Sequence, residues 1–232
     1  MSVLQQALEN GKFGVTAEMA PPKGCDFTEQ MEAAELLRGK VHAINVTDMQ
    51  SACLKASSIG LCVKLKLAGL EPIIQMTGRD RSRMAIMGDM LAAASFGIDT
   101  MLALTGDHTM VGDCKASKPV YDLDSVGILR MLSTMEATGK DCGGNDLAST
   151  PTFYKGAAVT PVYEPQILQI NKPRTVGGIT APDQSQRPGG GPASVAIPHT
   201  STRRLTRQPT RLLLTTRRSP PWWGVAGGGP VG

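Results

Sequence analysis

"LALTGDH", residues 102–108, decides how the rest of the chain is read. Apolar residues run without a break into Thr105, Gly106, Asp107 and His108. A continuous apolar run is what a strand buried on both faces carries, and parallel sheets covered by helices are where such strands occur. The abrupt polar ending has counterparts upstream. "FGVTAE" closes on Glu18, "VHAINVTD" has Thr47 near its end, and "EPIIQMTGRD" has Thr77 there. From Glu18 through Thr47 and Thr77 to Thr105 the steps are 29, 30 and 28 residues. That is the length of one βα unit in a parallel barrel, where eight units make about 250 residues.

The segments between these strands read as helices. "DFTEQMEAAELLRGK" offers Thr28 as N-cap and Gly39 as stop; "QSACLKASSIGLCVKLKLAG" closes at Gly69. "SRMAIMGDMLAAASFG" closes at Gly97 and places Met84, Met87 and Met90 on one face as core packing; "DLDSVGILRMLSTMEATG" closes at Gly139. Strand–helix alternation predicts a parallel sheet with helices outside. A fifth strand, "FYKGAAVTP", ends at Thr160, 55 residues beyond Thr105. Gly, Asp, Lys and Ser crowd residues 106–120 and 139–152, so long loops rather than a hidden strand account for the doubled step. In this fold the residue ending each strand points into the mouth of the barrel, so Glu18, Thr47, Thr77, Thr105, Asp107 and Thr160 are expected to converge there.

Composition sets bounds on this reading. The chain has 232 residues, 41% of them apolar and 19% charged, an ordinary globular balance. No apolar run reaches the ~18 residues of a membrane span. The N-terminus lacks a basic segment followed by an apolar core, so the expectation is a soluble cytoplasmic protein. Cys25, Cys53, Cys62, Cys114 and Cys142 are odd in number and form no C-x-x-C pair, which suits reduced, partly buried thiols better than disulfides or a metal site. No G-x-G-x-x-G or G-K-[ST] loop is present, which disfavours dinucleotide-binding and P-loop folds.

The chemistry of such a mouth follows from its residue types. Glu18, in "TAEMAPP", lies between apolar neighbours, and partial desolvation suits a carboxylate to act as a general acid near neutral pH. Gly106 lets a planar ligand approach the backbone, and Asp107 can accept hydrogen bonds from the N–H groups of a heterocycle. Arg79, Arg81 and Arg83 in "GRDRSR" have two readings: partners for a phosphate or diphosphate, or a helix start with internal ion pairs to Asp80.

"AEMAPPKGCD", "NVTD", "IIQMTGRDRSR", "LALTGDH", "KPVYDLDSV" and "GAAVTP" together resemble the methylenetetrahydrofolate reductase family, over about residues 12–170. The resemblance implies a (β/α)8 TIM-type barrel that binds FAD non-covalently. It implies transfer of a hydride from NADH or NADPH to the flavin, then to 5,10-methylenetetrahydrofolate, giving 5-methyltetrahydrofolate for methionine synthesis. By that resemblance Glu18 is the general acid that protonates the folate as its imidazolidine ring opens. Asp107 is the carboxylate near the flavin's pyrimidine edge and the pterin. Thr47, Asp48, Gln75, Thr105, Gly106, Asp122, Gly156 and Thr160 fall at flavin-contacting positions. Gln166 and Gln169 fall on a helix reaching the cofactor's far side. Gln75 stands where the family can carry His, and Thr105 where it can carry Arg. No metal is implied. A homo-oligomer or a redox partner subunit is compatible with the resemblance, and a membrane partner is not.

After "EPQILQIN" the likeness stops. Residues 171–232 hold nine Lys/Arg against one Asp, nine of the 16 prolines, ten of the 26 glycines and both tryptophans, whereas all 12 methionines precede residue 136. The expectation is therefore an α/β barrel truncated after about five βα units, with 1–172 as a partial flavin- and folate-binding domain whose reductase activity the loss of the later barrel units can abolish. Residues 173–232 form a low-complexity basic tail, disordered or out of frame. Two other functions remain open at this stage. One is a non-catalytic partner or nucleic-acid-binding protein acting through the tail, with nucleic acid ranked below folate as the ligand. The other is a pterin- or methyl-handling barrel without reductase activity.

Overall fold

A computed structural model of the chain describes residues 1–158, 179–181, 193–194 and 213–214. Strands and helices alternate: α1 Val3–Glu9, β1 Thr16–Met19, α2 Thr28–Leu37, β2 Ala43–Val46, α3 Ser58–Leu67, β3 Pro72–Thr77, α4 Arg83–Ser95, β4 Thr100–Leu104, α5 Ser125–Thr138 and β5 Tyr154–Ala158. β1 to β5 lie side by side in chain order, every pairing parallel. A three-residue β6, Ile179–Ala181, continues the parallel sheet beside β5, at a place where the sequence shows no strand pattern. Two-residue strands β7 (Ala193–Ser194) and β8 (Leu213–Leu214) pair antiparallel. The result is a parallel α/β fold of truncated-barrel type. Thr160, Gln166, Gln169 and most of the 173–232 tail lie outside the described residues.

The helices begin and end where side chains can satisfy their free backbone groups. Ser57, Ser82 and Asp124 accept from the first turns of α3, α4 and α5. Gly39, Gly69, Gly97 and Gly139 all have positive φ, as the sequence predicts for helix stops. Thr28 is not the cap of α2. It is the first helical residue, and the Asp26 carboxylate accepts from its amide at 3.0 Å and its hydroxyl at 2.7 Å. "QSACLK" is not helical with α3 but makes a short 3-10 turn at Gln50–Ala52. Met84 leaves the predicted stripe. A three-residue step falls roughly 60° short of a full turn, so Met84 turns outward, 73% exposed, while Met87 and Met90 are buried beside Ile86 and Ala93.

Strand alternation sorts the two faces of the sheet. Ile44, Val46, Ile74, Met76, Met101, Ala103 and Ala157 pack with Leu61, Leu65, Ile86, Met90, Ile128 and Leu132 of the helices in one core. Each of the Val, Leu, Ile and Met side chains contributes about 1.5–3 kcal/mol on burial. The opposite face has a smaller cluster: Ala43 and Ile73 meet Leu4, with Leu8 and Leu102 against them. The sequence gives no hint of α1, whose apolar side covers this inner face at the N-terminal ends of the strands. Above it the inner face turns polar. Between β4 and β5 lie a short 3-10 turn, Thr109–Val111, and one α-helix, joined by long loops with no further strand, as the loop composition predicts. Lys155 of β5, 8% exposed, is tied to α5 through an ion pair with Glu136. Cys62 is buried, which pushes its thiol up; Cys53 is half-buried, Cys25, Cys114 and Cys142 are exposed, and all five are free.

Candidate active site

Register places the predicted residues in levels on the inner face. Glu18, Asn45 and Ile73 are neighbours across β1, β2 and β3. Gln75, Leu102 and Gly156 are neighbours across β3, β4 and β5. Thr47 follows Asn45 by two residues and shares its face. Glu18, Thr47, Gln75 and Gly156 are thus brought to one side of the sheet, toward its C-terminal edge. The Thr47 hydroxyl and the Asn45 side-chain oxygen are buried and accept or donate no hydrogen bond. A buried polar atom without a partner costs about 1–3 kcal/mol; Gln30 Oε1 and the Tyr154 hydroxyl are in the same state elsewhere among the described residues. Asn45 is absent from the sequence reading; its signal was its place two residues before Thr47 in a strand of period two.

The end of β4 is held from three directions. Gly106 has φ +89°, and a Cβ there would stand 3.1 Å from the Arg79 Cβ and 3.3 Å from the Thr77 Cβ. Its carbonyl accepts from the Tyr121 hydroxyl at 3.1 Å, and the Asp107 carbonyl accepts from Arg79 Nη1 at 3.1 Å. The Thr105 hydroxyl accepts from the amide of Ser125, the first residue of α5, at 3.2 Å. Tyr121 is held at φ 45°, a strained value for a bulky residue. Burial first, and then the nearby Asp107 and Asp80 carboxylates, push its phenol up against the opposing pull of Arg79.

The basic run resolves toward internal pairing. Arg79, 2% exposed, donates to Asp80 at 2.7 Å and to the Met49 carbonyl at 3.2 Å. Arg81 donates to Asp48 at 2.6 Å and to Asp89 at 3.0 Å. Arg83 pairs with Asp122 at 2.8 Å, and the Arg83 side chain and amide hold that carboxylate down to about 2. Asp48 also accepts from the Thr77 amide at 2.9 Å and hydroxyl at 2.8 Å. Asp48 and Asp122 therefore sit at the mouth with their carboxylates engaged by arginines. They brace β3 and the start of α4.

Three loops are clasped over this edge. Lys23 pairs with Asp113 at 2.5 Å, and the other Asp113 oxygen accepts from the Leu54 amide at 3.0 Å. The hydrogen bond from Lys23 holds Asp113 below the usual carboxylate range. Gly112 lies against backbone, since a Cβ would fall 1.9 Å from the Ala52 carbonyl oxygen. Met49, Ser51 and Ala52 all have φ between 45° and 58°. Among the described residues no group of three or more His, Cys, Asp or Glu could hold a metal, and no helix is long and apolar enough to cross a membrane.

Parallel βα units with a carboxylate, hydroxyls and amides toward the C-terminal ends of the strands define the class: an α/β protein of truncated-barrel type. Comparison with family models makes this specific. The methylenetetrahydrofolate reductase model matches residues 3–142, and the chain belongs to that family of oxidoreductases. Comparison with curated proteins gives no match.

Proposed function

We propose that the chain works as a flavin-dependent reductase, converting 5,10-methylenetetrahydrofolate to 5-methyltetrahydrofolate with NADH or NADPH as donor, within one-carbon metabolism. The observation that carries this reading is the buried, unpartnered Thr47 hydroxyl on the same face as Glu18 and Gln75. It supplies a hydrogen-bonding group with no protein use, at a strand end where a polar heterocycle fits. The donor set suits a flavin: a hydroxyl at Thr47, an amide at Gln75, and a glycine backbone at Gly106 packed against Arg79 and Thr77. Bound FAD would carry the hydride between nicotinamide and folate.

The chain's own residues do the rest. Glu18 holds a proton for the folate nitrogen that is released as the five-membered ring opens. Asp107 accepts the N–H groups of the pterin and so orients the substrate. Asp48 and Asp122, through Arg81 and Arg83, keep the loop after β3 in place, and that loop would border a bound flavin. Thr160, Gln166 and Gln169 join this set on the family resemblance alone.

The test is spectroscopic and kinetic. The full chain, supplied with FAD, is expected to bind it with quenched flavin fluorescence. It is then expected to bleach under anaerobic NADH or NADPH and to recover its absorbance on addition of methylenetetrahydrofolate. Failure to bind flavin in excess FAD refutes the proposal. Bleaching without recovery removes the folate half of it.

A further inference from the structure

Arg79 lies just past the end of β3, and nothing in the proposed reaction uses it. Its side chain is buried, 2% exposed. Nη1 donates to the Asp107 carbonyl at 3.1 Å and Nη2 to the Met49 carbonyl at 3.2 Å, while Nε and Nη2 also pair with Asp80. Those two carbonyls belong to the loops that follow β4 and β2, the neighbours of β3 on either side. One guanidinium thus joins three strand ends, a reach that its planar fork of donors allows and a compact lysine ammonium does not.

The backbone of Arg79 takes part as well. Its carbonyl accepts from the Val120 amide at 2.7 Å, and the next residue, Tyr121, donates its hydroxyl to the Gly106 carbonyl at 3.1 Å. The peptide groups before and after Asp107 are therefore both held, one at the Gly106 carbonyl and the other at the Asp107 carbonyl. Peptide groups are planar, so fixing the two that flank a residue fixes its φ and ψ, and with them the direction of its Cα–Cβ bond. Stability alone does not account for a guanidinium kept here, since replacing a buried ion pair by apolar side chains is often neutral or stabilising.

We propose that Arg79 is a positioning residue, which sets the direction of the Asp107 side chain by holding the peptide group that follows it. This rests on the folate reading above, in which Asp107 accepts the N–H groups of the pterin. Arg79 touches no ligand and acts through Asp107, so substrate affinity depends on it and flavin affinity does not.

The test is a double-mutant cycle on folic acid binding, measured by titration calorimetry on the full chain in excess FAD, with wild type, Arg79→Met, Asp107→Ala and the double variant. Methionine keeps the Cβ that lies beside Gly106, fills much of the same space and donates nothing. Arg79→Met is expected to weaken folic acid binding about 3- to 30-fold, within the range for residues coupled in one network, while FAD affinity stays nearly unchanged. In the Asp107→Ala background the same substitution should change folic acid binding by less than about 2-fold, because the side chain it directs is gone. Arg79→Lys, which keeps the charge beside Asp80 and reaches one carbonyl at a time, should fall between wild type and Arg79→Met and lose its effect in the same background. On unaltered protein, the Arg79 Nε resonance in ¹⁵N NMR should move on adding folic acid. An equal loss in both backgrounds, no loss in either Arg79 variant, a fall in FAD affinity in step with folic acid, or an Nε resonance that ignores folic acid makes Arg79 merely structural while the folate reading stands. If wild type binds no folic acid, or Asp107→Ala binds it as well as wild type does, that reading falls and the role of Arg79 with it.

Discussion

Asp48→Asn separates a bracing carboxylate from a cofactor ligand. The Asp48 side chain is fully buried and accepts from two Thr77 groups and two Arg81 nitrogens. Asparagine has the same shape, but its amide nitrogen sets a donor against Arg81 or Thr77. Arg81, 11% exposed at its side chain, is left with Asp89, whose side chain is 35% exposed. Removing one partner of a buried ion pair costs about 3–5 kcal/mol. Against a domain stability of roughly 5–15 kcal/mol that is a large fraction. At about 2–4 °C per kcal/mol for a domain of this size, the melting midpoint should fall by roughly 6–20 °C. The assay is calorimetric or urea unfolding of wild type, Asp48→Asn and Asp122→Asn, each with and without FAD. Asp122 pairs with Arg83 at the surface, where water screens the interaction, so its variant should move the midpoint far less. The loss in Asp48→Asn should be the same in the absence of flavin. A midpoint within about 3 °C of wild type, or a loss seen only with FAD present, would refute the bracing role.

Three other outcomes are expected. Glu18→Gln should leave NAD(P)H oxidation by bound flavin nearly unchanged and slow folate reduction by roughly 10²–10⁴-fold; equal losses in both half-reactions, measured by stopped flow, would make Glu18 structural. Asp122, whose carboxyl is held down to about 2 by Arg83, contributes stability above its unfolded value of about 4 and loses it as pH falls through about 2; a carboxyl ¹³C titration with a midpoint near 4 would contradict the clamp. Gly78→Ala should destabilise by roughly 3 kcal/mol, because its Cβ would lie 1.9 Å from the Leu123 carbonyl oxygen. Gly88→Ala, with nothing within 4 Å in mid-helix, should instead stabilise slightly in the same thermal melts.

The 29-residue period was legible because parallel strands buried on both faces are written as unbroken apolar runs, and each helix stop needs a residue that tolerates positive φ. That signal carried the order of β1 to β5, the Gly stops and the strand-end Glu18 and Thr47, whereas Gln75 came from the family resemblance alone. Pairing between distant charges was not legible. "GRDRSR" reads equally as a phosphate grip or a set of ion pairs, and only the fold reveals that Asp48, Asp89 and Asp122 arrive beside it from three other segments. Met84 was misplaced because a step of three drifts around the helix. Thr28 was misplaced because Asp26 competes for the same cap. Helix α1 left no mark in the strand period, since it lies before the first unit.

That helix has a consequence for the order in which the fold assembles. Seven residues are too few to hold a helix in water on their own. The surface that shelters Leu4 is made of Ala43 and Ile73, with Leu102 beside it, contributed by three separate strands. α1, which precedes these strands in the chain, is therefore among the last elements to find its seat, after nearly a hundred further residues have been made. Until then Leu4 and Leu8 are available to any apolar surface nearby, and the floor of the barrel stands open to water. Docking of α1 needs β2, β3 and β4 in register, so its seating reports on the register of those three strands.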